Sequence, residues 1–148
     1  MTEPEPRLTT SLDLMRWIGW AQRKSLEEWM RARDLSHEQG FVLGYLVQHP
    51  GAIQRDIAEA SRTTPASVSS LLQGLERRGY IERRPDPANA RIKRVHPTAE
   101  GIAVISGFDT AAADVERAVL APLTAGEQDA LRILLQKITE ELPRPARD

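Results

Sequence analysis

Ser67, Ser69, Ser70 and Gln73 place short hydrogen-bonding side chains within a single turn or two of chain. Groups of this kind can reach the edges of base pairs, and Gln73 could address adenine through both atoms of its amide. Cations suited to phosphate oxygens surround them. Arg62 and Arg77 flank the stretch, Thr64 adds a hydroxyl for backbone positioning, and Arg83, Arg84, Arg91, Lys93 and Arg94 follow. Residues 62–94 hold eight Lys and Arg against three acids, whereas the whole 148-residue chain has a net charge of only −1. Bulk charge is therefore uninformative; its segregation is what contact with a polyanion requires. The bland alternative is a solvated basic hairpin.

The elements that must carry these groups can be read outward from them. Thr64 offers an N-cap hydroxyl and Pro65 fits the first helical position, where a missing N–H costs nothing. Val68, Leu71, Leu72 and Leu75 then form one apolar stripe, with Ala66, Ser69, Ser70, Gln73, Gly74 and Arg77 on the outward face. Gly79 ends the helix. Residues 80–84 predict a strand, Pro85-Asp86-Pro87-Ala88-Asn89 a turn, and residues 91–95 the return strand of a two-stranded hairpin. Ahead of the polar helix, residues 53–60 predict a bracing helix, joined to it by Ser61-Arg62-Thr63. In this arrangement Arg91 would sense minor-groove width from the hairpin tip. Arg83, Arg84, Lys93 and Arg94 would contact phosphates.

The stretch from about residue 35 to residue 101 resembles the MarR family of winged helix-turn-helix transcription regulators. The residues that carry the resemblance are Ile57-Ala58-Glu59, residues 68–72, residues 75–83, and Arg91 followed by Val95, Thr98 and Gly101. It implies a mainly α fold with a small β-wing, a winged helix-turn-helix core and N- and C-terminal dimerisation helices. The implied function is a sequence-specific DNA-binding regulator, a ligand-responsive repressor that meets a pseudo-palindromic operator as a homodimer. Two departures bear on affinity and base preference. Asn89 stands where the family has an Asp that orients the wing-tip Arg, and Ser70 and Gly74 stand where many relatives carry an Arg. The competing reading is a winged helix turned protein-interaction module without DNA binding; its signature would be loss of the basic wing and exposed apolar residues on the polar helix.

The flanks read as scaffold. Residues 8–33 show a long helical pattern, and Ser36 with Gln39 predicts a capping box for a helix ending at Gln48. Thr98 predicts the start of one helix carrying Ile102, Ile105, Phe108, Ala112, Val115 and Val119 as far as Pro122. Thr124 with Glu127 caps the last helix. The expected organisation is residues 8–34 and 98–142 as a dimerisation region, 35–97 as the winged helix-turn-helix, and 1–7 and 143–148 as disordered tails. A monomer with an intramolecular bundle is the alternative to a dimer.

For regulation the resemblance implies a small aromatic effector in a cleft between the dimer helices and the winged core. Trp17, Trp20, His37, Phe41 and Tyr45 could line it, although rings at helical spacing also suit a plain core. With no cysteine, thiolate redox sensing and thiolate metal sites are excluded. Three scattered histidines do not form a metal pair, so neither metal nor cofactor is expected. Catalytic constellations are missing from the motif pattern, which argues against an enzyme. An acidic, Pro-rich start and the lack of a long apolar run predict neither export nor membrane insertion, hence a cytoplasmic protein.

Overall fold

The computed structural model describes residues 8–143; of the tails expected at 1–7 and 143–148, all but residue 143 lie outside the described residues. The element order is α1 (Ser11–Arg31), α2 (His37–Gln48), β1 (Ala52–Ile53), α3 (Gln54–Ser61), α4 (Pro65–Arg77), β2 (Ile81–Pro85), β3 (Lys93–Pro97), α5 (Ala99–Ile105), α6 (Phe108–Leu120) and α7 (Ala125–Glu140). Helix starts follow their caps. Ser36 and Gln39 form the capping box of α2, and Thr124 and Glu127 that of α7. Thr64 accepts the Ser67 N–H, and Thr98 accepts the Gly101 N–H.

Residues 30–108 form one compact unit. Its core joins Leu43 and Leu46 of α2, Ile57 of α3, Leu72 and Leu75 of α4, and Ile81 and Val95 of the sheet, each at most 2% exposed. Burial of side chains this large contributes roughly 1.5–3 kcal/mol apiece. The sheet is antiparallel, in the order β1-β3-β2, with Arg83 opposite Val95 and Arg84 opposite Arg94. At the exit from the wing, the Thr98 N–H donates to Tyr80 O at 3.0 Å and its hydroxyl donates to Gly79 O. The C-terminal end of α4 is thereby fastened to the start of α5.

Five local expectations change. The wing is three-stranded, because Ala52 and Ile53 pair with Val95 and Arg94. Ile53 accordingly leaves the predicted helix and becomes its extended N-cap (φ −88°, ψ 158°). Two residues are too few to show a strand period. The return strand starts at Lys93 rather than Arg91, since the turn is closed by Asp86 N–H to Ile92 O (2.8 Å) and Ile92 N–H to Asn89 O (3.0 Å). The helix expected from Thr98 to Pro122 is broken where Ser106 turns extended and Gly107 adopts φ +87°, a left-handed conformation open to glycine at little cost. Finally, α5 packs within the winged-helix unit on α2 and β3, so that unit runs past residue 97 to Phe108.

The remaining described residues, before 30 and after 108, form a second unit of α1, α6 and α7. Neither α6 nor α7 has a buried residue. Large apolar side chains stand exposed on it, among them Leu12 at 67% and Ile133, Leu134 and Leu142 at 59% each. Among the described residues, no helix is long and apolar enough to cross a membrane.

Candidate nucleic-acid interface

One face of α4 is anchored and the other is open. Val68, Leu72 and Leu75 are almost wholly buried, while Ser67, Ser70, Gln73 and Arg77 are exposed and Ser69 and Leu71 are half-buried. The start of α4 is held twice: Thr64 Oγ1 accepts the Ser67 N–H at 3.2 Å, and Gln54 Nε2 of α3 donates to Pro65 O at 3.1 Å. Thr64 also donates to Ser67 Oγ at 2.9 Å, which occupies one lone pair of that serine. Ser70 and Gln73 thus remain the least encumbered hydrogen-bonding groups of the helix. Gly74 is not outward, contrary to its expected place: a Cβ there would lie 3.9 Å from Gln39 Nε2 of α2.

The seven cations divide by partner. Arg62, Arg77, Arg91 and Lys93 are exposed, and among the described residues no acidic side chain pairs with them. Arg62 sits in the helix-turn-helix turn with φ 52° and donates its N–H to the end of α3. A left-handed conformation in a residue other than glycine costs about 1 kcal/mol and marks a position to examine for function. The other three are engaged within the chain. Arg83 Nε lies 2.8 Å from Glu76 of α4, Arg84 pairs with Glu82, and Arg94 pairs with Asp86 while its Nη1 donates to Gly51 O at 3.0 Å.

The tip of the wing is organised by two side-chain acceptors. Asp86 Oδ1 accepts the N–H groups of Ala88 (2.7 Å) and Asn89 (3.1 Å), and Asn89 Oδ1 accepts that of Arg91 (3.1 Å). The Arg94 guanidinium, followed by the Ala88 N–H, holds the Asp86 carboxyl below the ordinary aspartate range. A carboxyl whose pKa falls on folding contributes stability above its unfolded pKa, and that contribution is lost as pH drops through the folded value. The expected NMR titration of Asp86 therefore has a midpoint below that of an exposed aspartate, with the wing intact at neutral pH. A midpoint in the ordinary range would show the Arg94 contact to be unformed in solution.

His37 and Phe41 line a cavity of about 350 Å³ with the α3–α4 turn and with Ser67 and Leu71 of α4. Tyr45 stacks instead on His49, centroids 4.4 Å apart. In the other unit Trp17 and Trp20 pair at 5.5 Å, with Lys24 over the Trp20 ring at 5.0 Å. Among the described residues, no three His, Cys, Asp or Glu side chains cluster as metal ligands. Sequence reasoning missed Gly51 as a wing residue. The available signal was the Pro50-Gly51 pair, and Gly51 indeed takes a left-handed φ of +87°.

Residues 33–92 match the model of the MarR family. The transcriptional regulator HosA of Escherichia coli O127:H6 is 31% identical over 105 residues, spanning 71% of this chain and 78% of that protein. MepR, a transcription regulator of the Staphylococcus aureus multidrug efflux pump MepA, is 31% identical with a TM-score of 0.79, over 90% of this chain and 99% of that one. A MepR–DNA complex aligns at a TM-score of 0.72, 31% identity and the same share of this chain, covering 98% of that one. A capped polar helix on a buried apolar stripe, a three-stranded basic wing and these relatives lead to one conclusion: the chain belongs to the MarR family of winged helix-turn-helix proteins and is a DNA-binding transcription regulator.

Proposed function

We propose that the protein is a cytoplasmic, non-catalytic repressor that binds a pseudo-palindromic operator as a homodimer and releases it in response to a small aromatic effector. The observation that carries the reading is an exposed Ser70–Gln73–Arg77 face on α4 in the same unit as the exposed cations Arg62, Arg91 and Lys93, which no acidic side chain pairs among the described residues. Ser67, Ser69, Ser70 and Gln73 read base edges, Thr64, Arg62 and Arg77 fix the backbone, and Arg91 enters the minor groove. Dimerisation through α1, α6 and α7 is supported by the apolar surface on α1 and α7, far more than isolated exposed side chains would need. Two-fold symmetry then sets two α4 helices into successive major grooves, about 34–36 Å apart.

Anisotropy titrations at two salt concentrations test the assignment of roles. Arg77→Ala should weaken binding to all duplexes alike and lower the salt slope by about 1, whereas Gln73→Ala should chiefly relax preference at one or two base pairs. If both variants changed only the salt slope, Gln73 would not be a base reader. A protein-interaction module would show no salt-sensitive attraction to random duplex at all.

The effector reading rests on the cavity beside His37 and Phe41, where apolar walls meet Arg62, Ser61 and Thr63. An aromatic carboxylate suits that lining. Salicylate at millimolar concentration should raise the melting temperature of the free protein and weaken its DNA complex. Unchanged melting and unchanged binding would remove this element of the proposal.

A further inference from the structure

We propose that Asp86 and Arg94 are positioning residues for the wing-tip Arg91, and that Arg94 acts on DNA through them rather than by touching phosphate. The inference rests on the reading of Arg91 as a DNA contact.

Among the described residues two backbone hydrogen bonds close the tip between β2 and β3, and side chains add to them. Arg94 reaches both ways across the sheet. One edge of its guanidinium meets Asp86 at the start of the tip, and Nη1 meets the carbonyl of Gly51 ahead of β1. A planar fork with fixed N–H directions suits such a bridge, which a single ammonium cannot reproduce. Gly51 holds its carbonyl at this point with a left-handed backbone, φ +87°, which favours glycine.

Asp86 passes the constraint on. Its side chain is 11% exposed and takes three donors, namely Arg94 and the N–H groups of Ala88 and Asn89. Asn89, with its backbone fixed, presents the amide oxygen that accepts the Arg91 N–H. An unbroken line of contacts thus runs from Gly51 through Arg94, Asp86 and Asn89 to the backbone of Arg91. Among the described residues no side chain pairs with the Arg91 guanidinium. Asn89 carries no charge, so the one carboxylate in this line is Asp86.

The charge of Asp86 makes the test sharp. Removing an acid from a ribbon that lies against a polyanion should tighten binding by ordinary electrostatics. Positioning predicts the reverse. Asp86→Asn, which keeps an acceptor for the N–H groups, and Arg94→Gln should each weaken operator binding about three- to tenfold, in line with loss of one charge-assisted hydrogen bond. Arg94→Lys should recover little of this. In an Arg91→Ala background the effect of Asp86→Asn should change sign, to unchanged or tighter binding, because only the electrostatic effect remains. Melting temperatures near that of the parent, together with shifted amide resonances of Asn89 and Arg91, would place the change in the wing.

Tighter or unchanged binding by Asp86→Asn, with Arg91→Ala clearly weakened, would overturn the positioning role. So would full activity of Arg94→Lys, the behaviour of a phosphate contact. An Arg91→Ala protein that binds like the parent would overturn the inference together with the wing reading beneath it, and this outcome is distinct from the other two.

Discussion

Gly101→Ala is expected to cost at least about 3 kcal/mol of folding stability, at the upper end of what added bulk does in a packed core. A Cβ at Gly101 would stand 2.0 Å from the Tyr80 carbonyl oxygen and 2.9 Å from its carbon. Both atoms are backbone, and the same carbonyl accepts the Thr98 N–H, so the obstacle cannot swing aside as a side chain would. Helix propensity alone argues the other way, since alanine is favoured over glycine inside a helix by about 1 kcal/mol. The two arguments give opposite signs, and the contact distance decides. Gly79→Ala is the useful comparison. Its φ of +76° strains an L-residue, but no atom lies within 4 Å of the added Cβ, so a cost of about 1 kcal/mol is expected. Urea denaturation of both variants measures the difference, and equal losses would contradict the close approach of α5 to the end of α4.

Arg91→Ala should weaken operator binding about tenfold or more and reduce its salt slope, with folding unaffected. The side chain is exposed and has no acidic partner among the described residues, while its backbone is held by Asn89. A tip ordered before binding has less freedom to lose on association than a mobile one, which leaves more of the contact energy as affinity. The loss should be greatest for duplexes with A·T-rich flanks, where a narrow minor groove concentrates negative potential. Equal affinity of parent and variant at both low and moderate salt would remove the wing from the interface.

The recognition helix was legible because three independent signals coincide within it. Thr64 with Pro65 marks its start, the Val68–Leu72–Leu75 stripe its buried face, and Gly79 its end, and each is found in place. Both capping boxes were readable for the same reason, since two side chains must agree at fixed spacing. Much of what escaped was set by partners that only the fold brings together. β1 is a strand only because Val95 and Arg94 lie alongside it. Arg83 and Arg94 look like any other wing cations until Glu76, Asp86 and Gly51 are brought to them by the fold. The break at Gly107 lay in plain view, yet the apolar spacing from Ile102 to Val119 continues across it and outweighs one glycine when the pattern is read alone.

Selection from a random duplex library by the purified protein tests the central claim most directly. Symmetric subunits that each insert α4 into a major groove should enrich an inverted repeat whose half-site centres lie about 10–10.5 base pairs apart. Enrichment of a single unrepeated motif, or of no sequence at any salt concentration, would contradict it.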